Sequence, residues 1–270
     1  MRKMVMLTYM VLSIVFLQSA DAKTRANSKL PRKTFVLVHG AWQAPYAWDL
    51  VKDDLAKKGH TVIVVELPSH GNDNTPPLEA SMNAYRDKVV AAIKNTKGRV
   101  ILVGHSMAGL VISAVAESIP ERIESLVYLG AFLPADGESL MSLTSNDKQS
   151  LLGPAIVPSQ DQLTLAIKKE SLINVFCQDA SEKIKELVTA QYKTEPAIPF
   201  GDKVTLTSAN FGKVRKYYIH TLKDHAVGID LQRQMVATSN VSKVYSVDSG
   251  HLPHLTQPRE ISKILFEIAD

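Results

Sequence analysis

The sequence predicts an α/β fold: a mostly parallel central sheet flanked by helices, with a helical cap inserted between two strands. Three observations predict it. Short apolar runs alternate along the chain with stretches of helical spacing, the pattern of repeated βαβ units. The first run, Thr34-Phe-Val-Leu-Val38, is continuously apolar, as a strand buried on both faces should be. Residues 133–204 break the alternation and hold Pro134, Pro154, Pro158, Pro196 and Pro199, as an insertion would.

The elements follow in order. Residues 34–38 read as a strand. Residues 46–58 show helical spacing at Trp48, Val51 and Leu55 and end at Gly59, a suitable C-cap. A strand at 61–65, a helix at 84–94, a strand at 99–103 and a helix to about 119 come next. Residues 125–129 form another strand. After the insertion the alternation resumes with strands at 215–220 and 241–246, a helix at 229–237 and a last helix at 258–268. Inside the insertion, helical stretches are expected near 161–169 and 181–192. An excursion leaving the carboxyl end of a sheet strand is well placed to cover a ligand site.

The N-terminus reads as a leader. Arg2 and Lys3 precede a 14-residue apolar stretch at 4–17, and Ser19-Ala20-Asp21-Ala22 offers a small-x-small cut site, so residues 1–22 are expected to be a secretory signal peptide. The stretch is short of the roughly 20 residues that span a bilayer, so no stable membrane insertion is expected after cleavage. Residues 23–33 read as a linker and 34–270 as one domain, with its cap at about 133–204. Cys177 is the only cysteine, so no internal disulfide can form. The expected localisation is export, to a bacterial periplasm or medium.

Composition excludes several classes. The net charge is a mild +4, with basic residues mostly scattered, so nucleic acid is not an expected partner. No H-E-x-x-H, G-x-G-x-x-G or P-loop occurs, so neither a metal nor a nucleotide cofactor is expected.

The chemistry concentrates in Gly104-His-Ser106-Met-Ala-Gly109. A G-x-S-x-G motif between a buried strand and a helix is the nucleophile elbow of the α/β-hydrolase fold. Small flanking residues give the sharp turn room, and the helix N-terminus favours developing negative charge. A serine hydroxyl needs a base, and the base needs an acid. In this fold their chain order is serine, acid, histidine. Of eight histidines, only His220, His225, His251 and His254 follow Ser106. His251 stands on a loop just beyond a strand and is the expected base, with His254 as rival. Asp224 follows the strand 215–220 and is the expected acid, with Asp230 and Asp248 as competitors. The oxyanion of a tetrahedral intermediate needs backbone donors, expected at Met107 and Ala41, with Gly40 turning the loop. His39 is expected to bond loop backbone, and Cys177 is not expected to be a nucleophile.

Together, His39-Gly-Ala41 with Trp48, the elbow, Thr221-Leu-Lys-Asp224 with Gln232, and Gly250-His251 with Leu255-Thr-Gln-Pro258 resemble the plant methylesterase/hydroxynitrile lyase group and its bacterial esterase relatives. The resemblance runs from about residue 34 to the C-terminus. It implies the same triad, Ser106, Asp224 and His251, and the same donors, Ala41 and Met107. Lyases of this group carry threonine at the position of Gly40 and lysine at that of Leu252, so the resemblance points to the esterase branch. The expectation is a serine carboxylesterase acting on a small-molecule ester, with Gly40, Trp42, Phe132, Leu133, Phe176 and Leu252 at the substrate and a homodimer left open. The alternatives are lyase, C–C or amide cleavage, and a non-catalytic binding protein.

Overall fold

The computed structural model describes residues 32–270. The expected leader and nearly all of the expected linker lie outside the described residues. The last linker residue, Lys33, is tied to the domain. Its N–H donates to His60 Nδ1 at 3.3 Å, and its ammonium pairs with Glu124.

Six strands form the central sheet: β1 (Thr34–Val38), β2 (Thr61–Val65), β3 (Val100–His105), β4 (Ile123–Leu129), β8 (Arg215–Thr221) and β9 (Lys243–Val247). Their order is β2-β1-β3-β4-β8-β9, and every pairing is parallel. Helices α1 (Asp49–Lys57), α2 (Met82–Lys94), α3 (Ala108–Ser118), α9 (Ile229–Ala237) and α10 (Pro258–Ala269) flank it. Helix α2 shows why such a segment is helical. Ser81 caps it by accepting the Ala84 N–H at 3.1 Å, and Met82, Tyr85, Val89 and Ile93 line one buried stripe, the three-to-four spacing of a core-facing helix.

Alternate side chains of β1 enter opposite cores, as pleating requires. Val36 and Val38 join Tyr85, Val89, Ile93 and Leu110. Phe35 and Leu37 join Trp48, Val51, Leu55 and Leu265. The sheet thus has a core on each face, and its carboxyl edge faces the insertion.

The segment between β4 and β8 is more mixed than expected. It carries the short helices α4 (Leu140–Thr144), α5 (Leu152–Ala155), α6 (Leu172–Phe176), α7 (Glu182–Ala190) and α8 (Ile198–Gly201). Between them runs an antiparallel sheet of β5 (Ile156–Pro158), β6 (Thr164–Ile167) and β7 (Glu195–Pro196). The helix expected near 161–169 is therefore wrong. Ser159 Oγ bonds Asp161 Oδ1 at 2.6 Å, Gln162 takes a left-handed φ of 59°, and Leu163, Leu165 and Ile167 alternate with period two. A turn followed by a strand wins over helical spacing there. The strand expected at 241–246 begins two residues later, at Lys243. The helix expected from residue 46 starts as a single tight turn, Pro45–Trp48, before α1. Among the described residues no helix is long and apolar enough to cross a membrane.

Candidate active site

Ser106 sits between β3 and α3 with φ at 55°, a left-handed conformation that costs a non-glycine residue on the order of 1–3 kcal/mol. The surroundings hold it there. Its N–H donates to Leu129 O at 3.3 Å, and its carbonyl accepts from Gly109 N at 3.0 Å and Phe132 N at 3.1 Å. The glycines are steric necessities. A Cβ on Gly109 would lie 1.9 Å from the Phe132 carbonyl oxygen, and one on Gly104 would lie 2.8 Å from the Ala108 oxygen. The first loop is equally tight, because a Cβ on Gly40 would stand 2.8 Å from Ser106 Cβ.

His251 and Asp224 arrive from the ends of β9 and β8. His251 Nε2 is 3.0 Å from Ser106 Oγ, and His251 Nδ1 is 2.8 Å from Asp224 Oδ2. All three residues are buried. The Asp224 carboxylate is saturated. Oδ2 also accepts Thr221 Oγ1–H at 2.7 Å, and Oδ1 accepts the N–H groups of Ala226 and Val227, both at 2.8 Å. Such donors fix the orientation of the carboxylate. The His251 backbone is held from behind, where its carbonyl accepts His105 Nε2–H at 2.8 Å.

The rivals lie elsewhere. His254 is fully buried between the Trp48 and His105 rings, at 4.5 and 4.4 Å between centroids, and burial pulls its pKa down to about 3. Asp230 bonds Gln149 on the surface, and Asp248 pairs with exposed Lys223. Burial pushes the Cys177 thiol up to about 11, which leaves it un-ionised and a poor nucleophile. His39 bonds backbone on both sides. Nδ1–H donates to Gly40 O at 2.9 Å, and Nε2 accepts Leu67 N–H at 3.2 Å. Burial, followed by the nearby His70, pulls its pKa to about 3, so the ring is neutral.

Met107 follows Ser106 at the start of α3, and Ala41 follows Gly40, the residue of the loop after β1 that approaches Ser106. Among the described residues neither N–H donates to a backbone acceptor. The expected substrate residues are enclosed, with Trp42, Phe132, Leu133, Phe176 and Leu252 all buried. The Phe176 ring lies 5.8 Å from that of His251 and 5.7 Å from that of Trp42. Phe132 meets the elbow through its backbone, and the Leu133 N–H points to Met235 Sδ at 3.3 Å.

Sequence reasoning missed a second buried histidine–carboxylate couple. Glu195, on β7, is fully buried and lies 2.8 Å from His70 Nε2. The same oxygen accepts the Trp42 N–H at 2.7 Å, one residue from Ala41. A single glutamate beside a proline and a histidine 125 positions away give no local signal that they meet.

Comparison with known proteins agrees with this architecture. Residues 35–264 match the model of the alpha/beta hydrolase family. Putative methylesterase 11, chloroplastic, of Arabidopsis thaliana is 30% identical over 87% of this chain and 63% of its own length, so the chain spans somewhat less than two thirds of that relative. Alpha-hydroxynitrile lyase of the same plant is 29% identical over 87% of this chain and 96% of its own. The crystal structure of a pyrethroid hydrolase from Sphingobium faniae JZ-2 superposes with a TM-score of 0.78 at 25% identity, covering 88% of this chain and 97% of that one. With the sheet order, the serine turn and a family model matched across most of its length, the chain belongs to the alpha/beta hydrolase family.

Proposed function

We propose that this chain is a carboxylesterase-type serine hydrolase that cleaves small carboxylic esters through an acyl-serine intermediate. One observation carries the reading: an uninterrupted hydrogen-bond relay from Ser106 Oγ through His251 to Asp224, at 3.0 and 2.8 Å. In this reading His251 Nε2 takes the hydroxyl proton as Ser106 attacks the ester carbonyl. Asp224 fixes the Nδ1–H tautomer and stabilises the imidazolium. The N–H groups of Ala41 and Met107 receive the oxyanion. His251 then protonates the departing alkoxide. Water, activated by the same ring, attacks the acyl-Ser106 carbonyl and releases the acid.

Hydrolysis is favoured over cyanohydrin cleavage by two positions. The close approach of Gly40 to Ser106 leaves no room for a threonine side chain. Leu252, beside His251, is fully buried and supplies no cation for a leaving cyanide. The Phe176 ring beside His251, with Trp42 packed on it, suits a fairly apolar acyl or alcohol group. A panel of p-nitrophenyl esters tests this reading: short to medium chains should be cleaved, and labelling of Ser106 by a fluorophosphonate should abolish turnover. Cyanide release from a cyanohydrin without ester turnover would replace it with the lyase. Export of the chain belongs to the same proposal, and the mass of the mature N-terminus tests it.

A further inference from the structure

We propose that the His70–Glu195 couple is a charged positioning device for the oxyanion loop, and that its deprotonation sets an alkaline limit on turnover. The inference rests on the serine-hydrolase reading above, because the loop matters only if Ala41 serves an oxyanion.

The protonation follows from geometry. His70 Nδ1 lies 2.8 Å from the Pro68 carbonyl oxygen, which can only accept, so Nδ1 carries a hydrogen. His70 Nε2 lies 2.8 Å from Glu195 Oε2, and that oxygen already accepts the Trp42 N–H at 2.7 Å. A neutral ring would turn a lone pair toward a carboxylate oxygen. An imidazolium donating at both nitrogens satisfies every contact. Burial pulls the His70 pKa down, but the Glu195 carboxylate, the Pro68 hydrogen bond and Asp73 together outweigh it and the net displacement is upward.

The facing groups agree. The His39 ring, 4.8 Å away, has both nitrogens engaged as a neutral imidazole. Tyr85 Oη stands 3.5 Å from Glu195 Oε1 with its phenol proton held on by burial. Asp73, which also raises the His70 pKa, adds negative charge, and Tyr192 faces Glu195 as a neutral phenol.

The couple joins three segments at one carboxylate: the loop after β1, the loop after β2, and β7 of the insertion. Trp42 is the point of attachment. It is held at a left-handed φ of 56°, its N–H bonds Glu195, and its indole Nε1–H donates to Leu165 O at 2.9 Å. Leu165 and Glu195 are register partners across β6 and β7. Both nitrogens of Trp42 are therefore fixed to one rung of the insertion's sheet, and Ala41 is the next residue. A group whose folded pKa is raised stabilises the fold fully below its unfolded value. That stabilisation is lost as pH rises through the folded value. The loop should therefore loosen on the alkaline side.

The test measures kcat and KM against pH for a p-nitrophenyl ester with the full enzyme, Glu195→Ala and Glu195→Gln, all counted by fluorophosphonate titration of Ser106. Glu195→Ala should lower kcat by about 10- to 100-fold with little change in KM, since a displaced donor loses transition-state binding. Glu195→Gln keeps an acceptor for Trp42 and no ion pair. Its kcat should lie between those of the parent and Glu195→Ala, flat at the level the parent falls to on the alkaline side, so that the alkaline limb is missing. A kcat within twofold of the parent for folded Glu195→Ala, or an unchanged alkaline limb in Glu195→Gln, overturns the proposal. Should Glu195→Ala not fold, nitrogen-15 spectra of the histidine-labelled parent decide, because His70 must show both ring nitrogens protonated at pH 7. A parent that labels at Ser106 and cleaves no ester defeats the esterase reading instead, independently of the His70 spectrum.

Discussion

Two buried histidine–carboxylate couples lie in this fold, and they differ in what the far side of the ring meets. In both, a ring nitrogen stands 2.8 Å from a sealed carboxylate oxygen. The other nitrogen of His251 faces the Ser106 hydroxyl, which can give up a proton and take one back. The other nitrogen of His70 faces a backbone carbonyl, which can do neither. The pairing of imidazole and carboxylate alone therefore does not mark a catalytic base. The third partner decides whether a proton can move.

The largest blow to that distinction is removal of the exchangeable partner. Ser106→Ala should lower kcat by on the order of 10⁶-fold, as when a triad nucleophile is deleted elsewhere, and burst kinetics should lose the acyl phase. Next comes Asp224→Asn. It preserves shape and presents the wrong tautomer to His251, so kcat should fall about 10⁴-fold. Glu195→Gln, the matching change in the other couple, should cost far less, and equal losses for the two variants would erase the contrast. Gly40→Thr forces a side chain against Ser106 Cβ, and the resulting displacement should reduce kcat about 10²-fold, read as kcat at saturating ester.

Stability separates the histidines in another way. His39 and His254 are buried neutral, with pKa values pulled to about 3. The unfolded chain therefore binds protons that the native chain refuses between about pH 6.5 and 3. Stability from these rings is complete above that window and is lost as pH falls through it. Thermal melts should shift downward through the window, and His254→Phe should flatten the shift. The smallest effect belongs to the exposed Lys223–Asp248 pair. Lys223→Ala should change the unfolding free energy by about 1 kcal/mol or less in a urea melt.

Much of this was legible in the sequence, for local reasons. The strand–turn–helix around Ser106 is written in six adjacent residues and their flanks, and Asp224 and His251 each follow a short strand that the strand–helix alternation marks. His70 also follows a legible strand, at 61–65, but Glu195 has no such flank, and their meeting depends on how the insertion folds back over two loops. The misread stretch at 161–169 has a related cause. Leu163, Leu165 and Ile167 fit a strand only because β5 and β7 are there to pair with β6, and that pairing is tertiary information.

The snug seat of Gly109 against the Phe132 carbonyl also has a temporal meaning. During synthesis from the N-terminus, the segment up to α3 emerges from the ribosome before residue 132 does. The serine turn then lacks the amide and carbonyl that later fix it from the far side of β4. A nascent fragment ending near residue 120 would carry the whole signature motif and still be inert toward an organophosphorus probe.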